Sequence, residues 1–377
     1  MILTALLKTN AVQCPNKPAL IMKLGYRTIT LTYQDVLTYA QGVAALLAHH
    51  GLKKGDAVLI YAPNSPYWGC VFWGTILKGC RIVPITTQSS KEIIERIALQ
   101  TEAKIIFTSI THPLDTHMVR HAHHERTKQT DTNKHNQPLV LSPSKDTSVG
   151  LANITNYTIE ELPDIVASYH YETSMEAETT PDDIIEILYT SGTTGTPKGV
   201  MLSHKNLYSN VMATKQVIPL KEGGERALSI LPLSHIFEQT VGFLVPFAVK
   251  ATIVYAHSPS AIRDLACQYK ITKIIAVPEF LKILMSKIEL AVEQQGKQHS
   301  FNCALSIAKR IKSTFIRRLL FRSIHQSLGG KLTLIACGGA PLDPELEQQW
   351  ALLGMTILEG YGLSETSPII CVNTPTH

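Results

Sequence analysis

Ile187-Leu-Tyr-Thr190-Ser-Gly-Thr-Thr-Gly195-Thr-Pro-Lys198-Gly-Val200 reads as an apolar strand running into a loop dense in glycine and hydroxyl residues. Such a loop suits phosphate. Glycine lets backbone N–H groups turn toward phosphoryl oxygens, hydroxyls add donors, and Lys198 brings a mobile positive charge. It is not a Walker A loop, because Pro197 stands where the glycine before the lysine would be and Gly199 replaces the magnesium-holding Ser or Thr. An ordinary strand-to-helix turn can share this composition, so the loop needs company.

The company comes downstream. Ile357-Leu-Glu359-Gly360-Tyr361-Gly362-Leu363-Ser364-Glu365-Thr366 is again a strand ending in a glycine-flanked aromatic, then a carboxylate beside hydroxyls. A tyrosine between glycines can lie against a flat base, Glu365 can offer oxygen to a hard cation, and Thr366 can donate to phosphate. Leu334-Ile-Ala-Cys337-Gly338-Gly339-Ala340-Pro341 follows a third strand with small residues that leave room for a ligand at a sheet edge.

Other short apolar runs read as strands: 57–61, 81–84, 104–107, 184–189, 227–231, 252–255, 273–277 and 331–335. Helical patterns lie between many of them, most clearly from Thr32 to Gly51, where Thr32 and Asp35 form a capping box and Val36, Ala40, Val43 and Leu47 share a face. Alternating strands and helices imply α/β layers with mostly parallel sheets and ligands outside the strands' carboxyl ends. The polar stretch over about 111–180, with His117, His121, His123 and His124, interrupts the pattern and reads as a partly solvated insertion rather than a metal site.

Composition removes several alternatives. The chain has 377 residues, 45% of them hydrophobic and 17% charged, so it can build an extensive core. Seven scattered cysteines without a C-x-x-C pair suggest neither disulfides nor a zinc ribbon, and fit a reducing, cytoplasmic setting. No signal peptide or membrane-spanning run is read, and a net charge of +5 without a basic recognition motif does not suggest nucleic acid. From Phe301 to Leu328 the spacing predicts one basic amphipathic helix. Its apolar stripe (Ile307, Ile311, Phe315, Leu319, Ile324, Leu328) would pack on the core with a solvated cationic face, or lie on a membrane surface as a peripheral contact.

Taken together and in this order, Thr190 to Gly199, Gly338 to Pro341 and Gly360 to Thr366 resemble the signature segments of the adenylate-forming (AMP-binding) superfamily. Leu31-Thr-Tyr33, Lys54-Gly-Asp56, Pro63-Asn-Ser65, Gly79 to Pro84 and Val277-Pro278 extend the resemblance along nearly the whole chain. Leu231-Pro-Leu-Ser-His235-Ile-Phe-Glu238, Phe301 to Ser306 and Leu328-Gly-Gly-Lys331 resemble the long-chain fatty acyl-CoA synthetase branch. Leu363 stands where peptide-synthetase domains usually carry proline.

The resemblance implies an N-terminal adenylate-forming domain over 1–377: layered α/β subdomains, mostly parallel sheets and a smaller β subdomain. It implies ATP, Mg2+ and, as co-substrate, coenzyme A. Thr190, Lys198, Glu365 and Thr366 would act in catalysis. Ser191, Gly192, Thr193, Thr194 and Gly195 would join Thr190 and Lys198 around the phosphates, with Thr190 and Glu365 near the metal. Gly338, Gly339, Ala340, Pro341, Glu359, Gly360, Tyr361 and Gly362 would line the nucleotide, and His235, Gln239 and Gly338 the acyl substrate. The family's ribose-binding aspartate, hinge and lysine-bearing lid do not fall within these residues, so the chain is expected to supply the ATP and acyl sites without the lid. A fatty-acyl-AMP ligase that loads a carrier protein, and a non-catalytic nucleotide-binding module, are the alternatives. Acyl chain length and oligomeric state are not legible.

Overall fold

A computed structural model describes residues 1–114, 154–190 and 197–374. Its strands are β1 (Pro18–Leu24), β2 (Arg27–Thr32), β3 (Ala57–Tyr61), β4 (Arg81–Pro84), β5 (Ile105–Thr108), β6 (Thr155–Thr158), β7 (Ile184–Thr190), β8 (Lys198–Ser203), β9 (Arg226–Ser229), β10 (Thr252–Tyr255), β11 (Lys273–Ala276), β12 (Leu334–Cys337), β13 (Thr356–Gly362) and β14 (Ile369–Val372). They form an eight-stranded sheet, ordered β14-β13-β12-β11-β9-β10-β1-β2, and a six-stranded sheet, ordered β6-β5-β3-β4-β7-β8. Pairing is parallel except at edges, where β2, β14 and β8 run antiparallel to their neighbours.

Strand period explains the layering. Val58 and Ile60 of β3 point into the largest core cluster, whereas Ala57, Leu59 and Tyr61 point into another on the opposite face. In the larger sheet, Leu20, Ile253 and Tyr255 face that same largest cluster, while Ile21, Leu228 and Val254 face a third. The two sheets therefore share one interior, with helices Tyr33–His49 and Pro66–Leu77 between them and further helices outside. Pro66–Leu77 is buried at every position, as expected for a helix apolar all round. Ser65 caps it by accepting from the Trp68 N–H, and Pro66 opens its first turn.

An aromatic layer fills the centre: Trp73 lies 4.9 Å from Phe247 and 5.9 Å from Phe243, ring centre to ring centre, and Phe72 is 5.7 Å from Phe243. Phe243 belongs to a fully buried π-helix, Glu238–Leu244, a form that often marks functional positions.

Most expected strands appear within a few residues. The capping box at Thr32 is present, with the Asp35 N–H donating to the threonine hydroxyl (3.1 Å) and the Thr32 N–H donating to the carboxylate (2.8 Å). Two expectations are corrected. The single helix over 301–328 is broken into Gln298–Ala308, Thr314–Leu320 and Arg322–Ser327. No separate smaller β unit appears among the described residues; the antiparallel strands instead extend the two large sheets. Within the polar stretch, β6 pairs in parallel with β5 and helix Leu162–Ala167 packs on Tyr33–His49. The histidines at 117–124 lie outside the described residues.

Phe243→Ala should cost about 3–5 kcal/mol of unfolding free energy, because it empties the layer joining the two sheets. Chemical denaturation of the variant beside the parent chain checks this.

Candidate functional site

The strand ends from which the motifs issue meet where two sheet edges face each other. β8 is the edge of the smaller sheet, and in its register with β7 Thr190 stands opposite Lys198. Both side chains reach solvent, Thr190 in part and Lys198 freely. Ser191 to Gly195, in the loop between them, lie outside the described residues. β14 is the edge of the larger sheet, and the Ser364–Thr366 turn before it lies beside β8.

Helix His204–Val217 ties these edges together. Ser203 and Asn206 form its capping box. One turn on, the Asn210 side-chain amide donates to the carbonyls of Ile369 (2.8 Å) and Thr366 (3.3 Å), while its oxygen accepts from the Ile369 N–H (3.4 Å). A residue just downstream of the Lys198 hairpin thus holds the Gly360–Thr366 segment in place.

β12 and β13 supply the rest of the rim. Cys337 and Glu359 are register partners, so Gly338 and Gly360 emerge side by side. A Cβ on Gly338 would lie 3.0 Å from the Phe237 ring and 3.1 Å from the Gly360 carbonyl, so only glycine lets the three segments close up. Gly362 is tighter still, since a Cβ there would meet the Pro368 carbonyl oxygen at 1.6 Å. The Glu359 carboxylate accepts from the Leu342 N–H at 2.9 Å, fastening the turn that carries Gly339, Ala340 and Pro341, all exposed. Tyr361 presents its ring to solvent, 61% exposed. The Glu365 carboxylate is exposed and has no hydrogen-bond or ion-pair partner among the described residues. Thr366 differs: its hydroxyl is held within its own turn, close to the carbonyls of Pro368 (2.6 Å) and Leu363 (2.8 Å).

The residues expected at the acyl substrate divide. His235 is exposed just before the π-helix, yet the protein mass around it lowers its pKa and keeps the imidazole neutral at neutral pH. Gln239 is fully buried, its amide donating to the Glu186 carboxyl of β7 at 2.7 Å. Gln239 therefore ties the π-helix to the smaller sheet and does not line an open surface. Burial pushes Glu186 up to about 8, with the Gln239 bond opposing, and likewise raises Glu238 to about 8. Glu238 lies near the Ser229 hydroxyl and the Leu231 amide without a well-aligned bond to either. Both carboxyls are protonated at neutral pH, which makes their burial tolerable.

Beyond Phe237 a narrow apolar cavity runs along the larger sheet, walled by Val241, Val245, Ile275, Leu334 and Ala336. Its open space is about 30 Å³, room for little more than a water. A buried pair also lines it: Lys273 Nζ lies 3.7 Å from Glu225 Oε1 and 3.0 Å from the Thr333 hydroxyl. Sequence reading missed Asn210, Glu186 and this pair. Their side chains matter through distant partners, and none sits in a glycine-rich motif.

The family model for AMP-binding enzymes matches residues 7–377. The chain belongs to the AMP-binding enzyme family. Among curated members it is 29% identical over 364 residues to long chain acyl-CoA synthetase 6, peroxisomal, of Arabidopsis thaliana, covering 90% of this chain and 48% of that protein. To a long-chain-fatty-acid–CoA ligase of Escherichia coli it is 24% identical, covering 91% of this chain and 57% of the relative. The chain thus spans about half the length of these AMP-binding relatives. Its fold matches the N-terminal domain of FACL13 from Mycobacterium tuberculosis, with a TM-score of 0.72, 20% identity and coverage of 97% and 77%. It also matches a Legionella pneumophila fatty acyl-adenylate ligase solved with acyl adenylate and pyrophosphate, with a TM-score of 0.68, 19% identity and coverage of 99% and 57%. The fold of this chain is therefore that of N-terminal domains of adenylate-forming enzymes.

Glu186 keeps a proton when folded that it loses at about pH 4.5 when unfolded, so its contribution to stability falls as pH rises from about 4.5 to about 8. Glu186→Gln should flatten that decline by about 1.4 kcal/mol per pH unit and raise the melting temperature at pH 8 relative to the parent. Melting both proteins between pH 5 and pH 8 tests the sign; parallel curves would show that Glu186 is ionised when folded.

Proposed function

We propose that the chain supplies the nucleotide and acyl sites of an ATP-dependent ligase. In this reading a long-chain fatty acid is converted to its acyl-adenylate and then to a coenzyme A thioester. The supporting observation is the meeting of the Lys198 hairpin, the Gly338 shelf and the Glu359–Thr366 segment at one rim, tied by Asn210. The long-chain acyl-CoA ligases among its relatives indicate the substrate class.

In the first step a fatty carboxylate oxygen bonds to the α-phosphorus of ATP and the bond to pyrophosphate breaks. The obstacle is charge, since an anion must approach a polyanion. Thr190 and Ser191 to Gly195 offer hydroxyls and backbone amides to the phosphates, and Lys198 neutralises charge on the departing pyrophosphate. The hydroxyl of the half-buried Thr190 and the exposed carboxylate of Glu365, which has no partner among the described residues, are hard oxygen donors of the kind that hold Mg2+ together with water and phosphate. When bound, that ion supplies further neutralisation of phosphate charge. The adenine rests on Gly338 to Pro341 and Glu359 to Gly362, with the Tyr361 ring as its flat partner. Thr366 reaches the α-phosphate by rotating its hydroxyl away from the Leu363 and Pro368 carbonyls. In the second step the coenzyme A thiolate bonds to the acyl carbon and AMP leaves with the electron pair.

In this reading the neutral His235, two residues before the Phe237 ring that packs on Gly338, receives the acid, and its lack of charge avoids trapping the carboxylate as an ion pair. The hydrocarbon tail follows the apolar wall past Val241, spreading the narrow cavity as it enters, and ends against Lys273 and Glu225. Buried Gln239 acts on this path only by holding the π-helix in position.

Lys198→Ala should weaken binding of a nonhydrolysable acyl-AMP mimic carrying a pyrophosphate group by about 10- to 100-fold, the loss of one charge-assisted contact. Glu365→Ala should depress ATP–pyrophosphate exchange and leave the melting temperature unchanged. Calorimetry and exchange assays decide this: equal loss of fold and turnover, or no binding by the parent chain, would refute the reading. Thioester formation with coenzyme A, compared with a phosphopantetheinyl carrier protein, identifies the acceptor.

Replacing the cavity's polar lining as a pair, Lys273→Met with Glu225→Gln, avoids leaving one charge buried alone. Acid competition assays with dodecanoate, palmitate and stearate should then show preference moving several-fold toward the longer acids. An unchanged ranking would place the tail elsewhere.

A further inference from the structure

Helix Thr314–Leu320 carries its two faces the reverse of what a core-packing helix requires. Phe315 is 70% exposed and Leu319 56%, with Ile316 and Leu320 exposed beside them. Its arginines turn inward instead. The Arg317 guanidinium donates to the carbonyls of Ile311 (2.8 Å), Ala351 (2.9 Å) and Ala308 (3.2 Å), and Arg318 donates to that of Leu332 (2.8 Å). Those bonds clamp the short helix to the body of the protein with its apolar side out. Ile307, at the end of the preceding helix, is exposed as well.

Charge is distributed just as unevenly. From Lys297 to Lys331 the sequence holds eight Lys and Arg residues and not one Asp or Glu. The other 27 cations of the chain's 35 face 30 carboxylates, so the entire positive excess of the protein lies in this segment. Lys309, Arg310, Lys312 and Arg322 are exposed around the apolar side chains, and none forms an ion pair among the described residues. Leu332 and Ala351, which anchor the arginines, precede β12 and β13. The surface therefore lies at the amino ends of those strands, away from the rim at their carboxyl ends.

We propose that Ile307, Phe315, Ile316, Leu319 and Leu320, ringed by Lys309, Arg310, Lys312 and Arg322, dock the protein on an anionic lipid bilayer. Exposed aromatic and aliphatic side chains enter the boundary between headgroups and acyl chains, and the surrounding cations meet lipid phosphates. The absence of any carboxylate in the segment favours a uniformly anionic surface over a protein partner of mixed charge. A second copy of this chain would set the same cations against one another. The surface does not depend on what the nucleotide site does.

Co-sedimentation of the chain with vesicles tests it. The parent should pellet with phosphatidylcholine vesicles containing phosphatidylglycerol, far less with phosphatidylcholine alone, and less as salt rises. Phe315→Ser with Leu319→Ser, and separately Lys309→Glu with Lys312→Glu, should each lower partitioning about tenfold or more. These side chains are exposed, so melting temperature and binding of the acyl-AMP mimic should be unchanged, which separates this surface from the site. Failure of the parent to bind anionic vesicles would overturn the proposal. So would variants that bind as well as the parent, or light scattering that shows a dimer broken by the Phe315/Leu319 changes with no effect on vesicles.

Discussion

Asn210 and the two carbonyls it binds decide whether this molecule offers one site or two unrelated sheet edges. A net gain of about 1 kcal/mol per hydrogen bond is small. Placement gives it weight: the amide sits on the first helix after the Lys198 hairpin and grips the backbone on both sides of the cis-linked Pro368, just after Glu365. The shared interior of the two sheets, with its layer of Trp68, Phe72, Trp73, Phe243 and Phe247, supplies the rigidity on which so modest a clamp can act. Glycine at 338 and 362 then lets backbones approach to distances no side chain would permit.

Polar groups in the interior extend the same logic. Glu186 and Glu238 are fully buried and kept protonated, and Gln239 between the π-helix and β7 shares a bond with Glu186. Unpaired polar atoms in such a place lower stability, and their company with a π-helix next to His235 fits a segment shaped for a task rather than for maximal packing. The buried Lys273–Glu225 pair repeats the pattern in the lining of the apolar cavity. A charge pair there costs more to break than it contributes to stability.

Much of this was legible in the residues because the physics is local. Runs such as Ala57 to Tyr61 are short, rich in β-branched and aromatic residues and bounded by turn residues, which marks them as strands, and the Thr32/Asp35 box begins its helix as read. The order of the three glycine-bearing segments led to the right family. What stayed hidden depends on the third dimension. The stripe over 301–328 has sound helical spacing, but nothing in the spacing tells that Arg317 and Arg318 would find backbone carbonyls inward and send Phe315 and Leu319 outward. Gln239 stands four residues from His235, one helical turn in an α-helix; the π-helical backbone and the waiting Glu186 carboxyl draw it into the core instead. Thr366 is a plausible phosphate donor in sequence, whereas in the fold its hydroxyl is already committed to its own turn.

Hydrogen–deuterium exchange of the chain with and without a nonhydrolysable acyl-AMP mimic addresses the central claim, that distant segments grip one ligand. Slowed exchange appearing together in residues 190–199, 338–342 and 359–366, with none in 298–322, is the predicted result. Protection confined to one of the three segments, or spread over a different surface, would contradict the account.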